Sequence, residues 1–314
     1  MLMDKMFIET FFVNVAPYSS PDCLPLFLAR AQESCEWLEN RGLKVKGRIP
    51  YYQDVIKRYD TIRGSYGPKM FEFLHAVSEM HHVVKCSEQL KEQQASAEFN
   101  KTLHAAMYGI NFSHENDTPG KDQDRNYMFE LGIASSYAAQ THCIDVSKRT
   151  DIIVNDLALA IECKRIQSPE LLVRRLKDAI KQLKKHEAGE AANGVVYIDV
   201  TELLDVKHTV YIHDQTGVPP YLKPPPDEDE VVEQLYARIE ADIADTIEDK
   251  MTQLKGYLTD EVSCVVLNFN FCGFETNMFR EYAIVGRCSF ILDNAKVDPI
   301  VARSVRATLG RQLE

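Results

Sequence analysis

Apolar side chains recur every three or four positions through most of the first 115 residues, which is the spacing of helices with one buried face. Breakers such as Gly42 separate these runs. The helices that this spacing predicts are 21–41, 50–62, 69–86 and 99–108. We therefore expect residues 1–115 to form a mainly helical domain of unknown role, which the polar, turn-rich residues 111–123 would separate from the rest.

The second part of the chain alternates between helical and strand-like patterns. After a helix that begins near Asp124, apolar runs predict two strands within 151–164. A helix capped by Ser168 follows. The other predicted elements are strands over 195–200, 262–271 and 282–292, a Pro-rich acidic loop plus a long helix over 214–258, and a closing helix over 299–313. The mixture predicts an α/β (α+β) domain over residues 116–314, in which the last strands would extend the core sheet.

Composition limits the class of protein. With 45% apolar residues the chain can bury a sizeable core, and no apolar run approaches the ~20 residues of a membrane span. Acidic residues within the first 14 positions do not fit a secretory signal. The eight cysteines are scattered without a C-x-x-C pair, which argues against a zinc knuckle or a disulfide framework. We expect a reduced, cytoplasmic protein without membrane contact.

Positive charge is concentrated in one part of an acidic chain. The formal net charge is −11, which argues against indiscriminate binding of nucleic acid. Residues 148–186, however, contain ten lysines or arginines and only five acidic residues. A phosphate backbone would therefore bind near this segment.

Three polar side chains in the strand region carry the candidate chemistry: Asp151, Glu162 and Lys164. Residues i and i+2 of a strand point to the same face, so Glu162 and Lys164 would lie side by side while Cys163 points into the core. Two carboxylates suit a hard cation such as Mg²⁺. A lysine beside them can orient a water molecule or help to deprotonate it.

Other acid–lysine pairs show that an E-x-K triplet alone is a weak signal. Glu248-Asp249-Lys250 lies within the predicted long helix, without a strand or an upstream acidic partner. Asp205-Val206-Lys207 follows a predicted strand, but its upstream acid Asp199 is too near in sequence for a hairpin. We therefore expect both pairs to lie outside the site.

Glu130 is a candidate neighbour of the site. At about 100° per residue, it falls on the same helix face as Tyr127, Ala134 and Tyr137. A carboxylate on an apolar face is costly unless it is paired, hydrogen-bonded or near a metal ion. Two interpretations are open: Glu130 binds a core arginine or tyrosine, or it lies beside a metal ion.

The basic helix over 168–186 has one apolar stripe that would pack on the sheet. Arg175 and Gln182 lie at an edge of this stripe, from which they could reach toward Lys164. Lys181 points away from the sheet, where it would be either a solvated surface residue or a contact to phosphates.

A helix with an acid, a strand with an acid, a strand with E-x-K and a basic helix with a glutamine follow one another over residues 124–201. This order resembles the PD-(D/E)XK nuclease superfamily, which implies a restriction-endonuclease-like fold, a mixed sheet flanked by helices. Thr150 stands where the family's proline often occurs, a position at which that proline is frequently replaced. The residues that match the motif are Glu130 for the first-helix acid, Asp151 for the first strand acid, Glu162 and Lys164 for the E-x-K pair, and Gln182 for the helical glutamine of some branches.

The resemblance implies a metal-dependent nuclease, in which Mg²⁺ or Mn²⁺ lowers the pKa of a water and neutralises charge at phosphorus. Lys164 would orient that water and stabilise developing negative charge. Arg165, Arg175 and Lys181 would contact nucleic acid. The groups expected to hold the metal are Asp151, Glu162, the backbone carbonyl of Cys163 and, through water or a second ion, Glu130.

The expected substrate is DNA more than RNA, and a controlled role such as a defence or restriction effector fits an acidic chain with an added domain. A homodimer, or a partner protein bound by the N-terminal helices, would also fit. The main alternative is a non-catalytic nucleic-acid-binding or regulatory module that keeps the nuclease fold. A third interpretation is a helical scaffold with a fortuitous triplet.

Overall fold

A computed structural model describes residues 6–15, 23–92, 96–108, 123–146, 151–186, 193–203, 210–214, 230, 233–234, 237–239, 250–258, 262–276, 281–294 and 296–312. The helices assigned in this part are α1 (Leu24–Asn40), α2 (Arg48–Lys57), α3 (Pro68–Gln89), α4 (Ala97–Met107), α5 (Gln123–Ala139), α6 (Leu171–His186) and α7 (Pro299–Ala307). The strands are β1 (Met6–Asn14), β2 (Ile144–Asp145), β3 (Ile152–Val154), β4 (Leu159–Arg165), β5 (Asn193–Asp199), β6 (Val210–Asp214), β7 (Cys264–Thr276), β8 (Glu281–Asp293) and β9 (Arg311–Gln312). None of the described helices is long and apolar enough to cross a membrane.

The strands form one mixed sheet in the order β2-β3-β4-β5-β7-β8-β1-β9, with β6 paired to β7. Strands β4, β5 and β7 are parallel neighbours, whereas the pairs toward both edges are antiparallel. Parallel neighbours need a crossover connection, and α6 provides it between β4 and β5. The predicted mixed α/β class is confirmed, and β7 and β8 extend the core sheet as expected.

The first strand is one that the helical prediction for residues 1–115 omitted. β1 pairs with β8 along its whole length, from Met6 opposite Phe290 to Asn14 opposite Tyr282, and β9 pairs on its other side. Apolar side chains of β1 are buried on both faces of the sheet: Phe7 and Val13 on one face, and Met6 and Ile8 on the other. A run of this kind has no clear period, so it does not separate strand from helix.

Helices cover both faces of the sheet. Buried side chains of α1 to α5 and α7 form one core cluster with Ile152, Ile161 and Tyr197 of the sheet. α6 packs on the opposite face, where its apolar stripe contacts Ile153 and Ala160. The helices of the predicted N-terminal domain therefore share their core with the sheet that carries the candidate site.

The ends of two predicted helices differ from the structure. α6 begins at Leu171, later than the predicted cap Ser168, whose carbonyl accepts a hydrogen bond from Leu171 N. The closing helix ends at Ala307, short of the predicted end at 313. Gly310 follows with a φ of +97°, which glycine adopts without strain, and the chain then enters β9.

The predicted loop and long helix over 214–258 lie mostly outside the described residues, as does the acidic run before residue 230. Residues 250–258 are described and helical as far as 255. Met251 and Leu254 are buried in the cluster on the α6 face. At least the end of the predicted helix thus packs on the sheet.

Candidate functional site: an acid–lysine cluster at the β3–β4 hairpin

The hairpin of β3 and β4 sets the positions of the acidic residues. Ile152 pairs with Ile161, and a 3₁₀ turn over Asn155–Leu157 joins the two strands. Continued by one residue, this register sets Asp151 opposite Glu162. The two strands correspond to the two predicted within 151–164.

The carboxylates of Asp151 and Glu162 converge on the ammonium of Lys164. Lys164 Nζ donates to Glu162 Oε2 at 2.7 Å and to Asp151 Oδ2 at 3.4 Å. Asp151 Oδ2 also accepts a hydrogen bond from the backbone N–H of Cys163 at 2.7 Å. This bond extends the hydrogen bonding between β3 and β4 by one residue beyond the start of β3 at Ile152. The structure places Glu162 and Lys164 side by side and buries Cys163 in the core, as the strand spacing predicted.

Glu162 is the least satisfied of these groups. Its side chain has 0% exposure, and within the described part of the chain its Oε1 has no hydrogen-bond partner. Burial, and then the negative charge of Asp151, raise the pKa of Glu162 to about 7. A buried carboxylate oxygen without a donor is unfavourable, and a bound cation would relieve it.

Glu130 approaches the same pair from α5. Burial, followed by the charge of Asp151, raises the pKa of Glu130 to about 8, which Lys164 partly opposes. Of the two open interpretations for Glu130, these electrostatic neighbours favour a role in the site over a bond to a core arginine or tyrosine. Three carboxyl groups thus share one ammonium, and the raised pKa values of Glu130 and Glu162 mean that both hold a proton part of the time near neutral pH, which a bound cation would displace.

Lys164 remains a cation in this environment. Burial alone would lower its pKa, but the charges of Asp151 and Glu162 raise it above the usual value. A lysine held protonated is a hydrogen-bond donor and a positive charge, not a general base. Of the two uses that the sequence allowed, orientation of a water is therefore the better supported.

The donor set fits a hard divalent cation. Asp151, Glu162 and the nearby Glu130 offer carboxylate oxygens, which Mg²⁺ and Mn²⁺ prefer. Among the residues that the structure describes, no three acidic, histidine or cysteine side chains already converge as a metal site. Lys164 lies between Asp151 and Glu162, so a cation that bound both carboxylates would displace its ammonium from this position.

The direction of α6 bears on the predicted role of Gln182, which stays a prediction. Because β4 and β5 are parallel, α6 runs back along β4, and its late residues lie near the beginning of that strand. Lys164 is at the end of β4, and within the described residues it has no hydrogen bond with Gln182. Arg175 and Lys181 are exposed on α6, where a nucleic acid could contact them.

Arg165 follows Lys164 but lies on the opposite face of the sheet. Its Nε donates to Asp199 Oδ2 at 2.9 Å, and its Nη2 donates to Glu202 Oε1 at 2.7 Å. The side chain is 10% exposed. The phosphate contact predicted for Arg165 would require these two ion pairs to break.

A serine–histidine–aspartate chain was not foreseen. His142 Nδ1 lies 2.6 Å from Asp156 Oδ2, and His142 Nε2 lies 2.6 Å from Ser304 Oγ. This order of groups activates serine nucleophiles in hydrolases. Ser304, however, is only 8% exposed. It lies within α7, where its backbone N–H takes part in helical hydrogen bonding and is not available to bind an oxyanion. The chain links α7 to the β3–β4 turn, and we regard the acid–lysine cluster as the better candidate site.

Sequence reasoning also missed the polar lining of a cavity beside α3. His81 and His82 both line it, although adjacent helical residues diverge. The signal was present as polar residues at helical spacing, since Ser78, His82 and Lys85 recur along α3 and line the same cavity.

Comparisons with known proteins did not identify a family or a relative for this chain. No family model matches the chain, and neither the curated proteins nor the solved structures contain a match. An assignment of function therefore depends on the geometry of the chain itself.

Proposed function

We propose that this protein is a metal-dependent nuclease of the PD-(D/E)XK type, which hydrolyses phosphodiester bonds in DNA more than in RNA. The observation that carries the proposal is the convergence of Asp151, Glu162 and Lys164, with one buried oxygen of Glu162 lacking a partner among the described residues. The order α5–β2–β3–β4–α6–β5, with α5 and α6 on opposite faces, supports the resemblance. This order of elements matches the family's order of a helix with an acid, a strand with an acid, a strand with E-x-K and a basic helix.

Asp151, Glu162 and the backbone carbonyl of Cys163 would hold one Mg²⁺ or Mn²⁺, with Glu130 close by. When bound, such an ion supplies an activated water and neutralises charge on the scissile phosphate. The pKa of Glu130 is raised to about 8 by burial and by Asp151, and a nearby cation would lower it, so that the ionised Glu130 could accept a proton from the attacking water. Lys164 would donate a hydrogen bond to that water or to a phosphate oxygen.

The nucleic acid would bind beside the basic segment. Arg175 and Lys181 are exposed on α6, on the face of the sheet toward which Glu162 and Lys164 point. Cations at this position would neutralise backbone phosphates without reading the sequence of the bases. An acidic chain that confines its positive charge to one segment suits a regulated role, such as a defence or restriction effector. Cleavage of both strands would need two such sites, as in a homodimer.

The test incubates the purified full chain with supercoiled plasmid, linear duplex, single-stranded DNA and RNA, in Mg²⁺, Mn²⁺ or EDTA. We expect cleavage that requires the metal and falls by roughly 100-fold or more in Asp151→Asn and Lys164→Met. Asp60→Asn and Lys57→Met, which change the same residue types at exposed positions, are matched controls. Cleavage that persists in EDTA, or that is equal in site and control variants, would contradict the proposal.

The non-catalytic alternative gives a different result in the same experiment. A binding module would retain nucleic-acid affinity in gel-shift assays and show no cleavage with either metal. Asp151→Asn would then leave the affinity unchanged, because no reacting group would depend on that carboxylate.

A further inference from the structure

A cavity of about 430 Å³ lies between the sheet and the helices α3 and α5. Glu9 of β1 and Arg287 of β8 line its floor, and His81, His82 and Lys85 line its roof. Small-molecule sites have volumes of roughly 300–1,000 Å³, so the cavity is large enough for a small ligand. The proposed nuclease chemistry does not use it.

Positive charge is in excess at the β1–β8 end of the cavity. Lys85 Nζ donates to Glu9 Oε1 at 2.6 Å, and Arg287 Nη2 donates to Glu9 Oε2 at 2.8 Å. The side chains of Lys85 and Arg287 are 17% and 11% exposed. One carboxylate therefore serves two largely buried cations, and a second anion would stabilise both.

Two buried nitrogen atoms at this end lack a partner. Within the described part of the chain, neither Arg287 Nε nor His81 Nδ1 has a hydrogen-bond partner. The His81 ring is stacked on Phe11, with 4.3 Å between ring centroids, which fixes its orientation. Arg287 Nε is a donor, and His81 Nδ1 donates or accepts according to its tautomer. Buried polar nitrogens are seldom left unsatisfied in proteins, so a ligand atom is a natural partner for both.

The other end of the cavity has the opposite excess. Arg165 donates to Asp199 and to Glu202, and all three residues line the cavity. Asp199 Oδ1 also accepts from the N–H and the hydroxyl of Thr201, but a carboxylate has about four acceptor sites, so Asp199 Oδ2 can accept a further hydrogen bond beside the one from Arg165. A ligand that spans the cavity would meet cations at one end and acceptors at the other.

We propose that this cavity binds a small organic anion with hydrogen-bond donors at its far end, the class to which nucleoside monophosphates belong. Its phosphate or carboxylate lies between Lys85, Arg287 and His81. Its hydroxyl or amino groups lie near Asp199 and Glu202. This binding requires neither the divalent metal nor a nucleic acid, so it stands apart from the nuclease proposal.

The test is calorimetric titration of the full chain in EDTA without nucleic acid. The probes are AMP, the uncharged nucleoside adenosine, inorganic phosphate and glutarate, which separate the contributions of the phosphate, the donors and a carboxylate. We expect AMP to bind with a Kd below about 1 mM, and adenosine to bind at least about tenfold more weakly. Equal affinities for AMP and adenosine, or binding of none of the anions, would overturn the proposal.

Variants test which end of the cavity binds the phosphate of AMP and which end binds its hydroxyl or amino groups. Arg287→Gln should weaken AMP binding at least about tenfold, and Lys85→Gln, which leaves Glu9 paired with Arg287, repeats the test if the first variant does not fold. Glu202→Gln should weaken AMP but leave phosphate unchanged. Arg303→Gln, on the exposed side of α7, is the control and should bind AMP as the wild type does. Unchanged AMP affinity in a folded Arg287 or Lys85 variant would contradict the assignment.

The cavity adjoins the acid–lysine cluster through two elements. Phe129 and Arg165 line the cavity, and they are the neighbours in sequence of Glu130 and Lys164. If the nuclease proposal holds, AMP should therefore change the cleavage rate at saturating Mg²⁺, and Arg287→Gln should abolish that change. This consequence rests on the proposed function, and the calorimetric result is independent of it.

Discussion

Two groups of buried charges lie on opposite faces of one sheet and have opposite imbalances. The acid–lysine cluster sets the carboxylates of Asp151 and Glu162 against the single ammonium of Lys164, with Glu130 as a third acid nearby. At the β1–β8 end of the cavity, two cations share the carboxylate of Glu9. The first group is suited to a bound cation and the second to a bound anion.

The difference shows that residue type does not decide which charges are available for function. Lys164 and Arg165 are consecutive cations of β4, yet strand alternation sends them to opposite faces. Arg165 and Lys164 each bind two carboxylates, but the acids around Lys164 include a buried oxygen, Glu162 Oε1, that has no hydrogen-bond partner among the described residues. Functional candidates are therefore found by how completely the partners of a charged group are satisfied.

Removal of Lys164, the cation of the acidic cluster among the described residues, should have the largest effect. Lys164→Met removes the ammonium that binds two adjacent carboxylates, and we expect it to lower the free energy of unfolding by about 3 kcal/mol. Millimolar Mn²⁺ should restore much of this loss, because a metal ion would replace the ammonium. Urea unfolding with and without Mn²⁺ measures both effects.

Arg165→Met is the control for that rescue. It removes the neighbouring cation from the other face, where Asp199 and Glu202 would be left. We expect this variant to be destabilised without recovery in Mn²⁺. Equal recovery in both variants would show that the metal acts elsewhere on the protein.

The pH dependence of stability should distinguish the two groups. The pKa of Glu130 is about 8 in the folded protein and near 4.5 in the unfolded chain. Its contribution to the free energy of unfolding is therefore fully present below about pH 4.5 and is lost as the pH rises through 8. Glu130→Gln removes this loss and should make the protein more stable than the wild type by about 1–2 kcal/mol at roughly pH 8. Urea unfolding at several pH values tests this, and a variant less stable than the wild type at high pH would count against the assigned environment.

The cavity should respond to pH with the opposite sign. Burial, and then the nearby His82 and Lys85, lower the pKa of His81 to about 3. Below about pH 6.5, His81 binds a proton in the unfolded chain but not in the folded protein. The free energy of unfolding therefore falls by up to about 1 kcal/mol per pH unit as the pH decreases. His81→Gln should reduce this slope between about pH 6.5 and 5, whereas His104→Gln, an exposed histidine of α4, should not.

The smallest effects are expected on the exposed face of α6. Arg175→Gln and Lys181→Gln should each weaken DNA binding by about two- to fivefold and reduce the salt dependence by about one ion. Stability should change by less than about 0.5 kcal/mol, since both side chains are exposed. Fluorescence anisotropy over a salt series measures this, with Lys57→Gln as the control. An unchanged salt slope would place the nucleic acid away from α6.

Parts of the fold were predictable because their signals are local. The β3–β4 hairpin, the basic helix α6 and the last two long strands follow from period and turn residues that lie within a few positions. β1 was not predictable in this way, since its pairing partner is β8, near the other end of the sequence. An apolar segment covered on both faces has no period to indicate a strand.

The candidate site was predictable in part for the same reason. By itself, the sequence determined that Glu162 and Lys164 share a face and that Cys163 does not, because strand alternation depends only on neighbouring residues. Only the tertiary structure decided that the late residues of α6, including Gln182, run toward the beginning of β4, and that Glu9 meets Arg287 across 278 positions, which leaves excess positive charge at one end of a cavity. Such outcomes depend on how helices and strands pack, and the packing brings together groups whose separation in sequence carries no periodic signal.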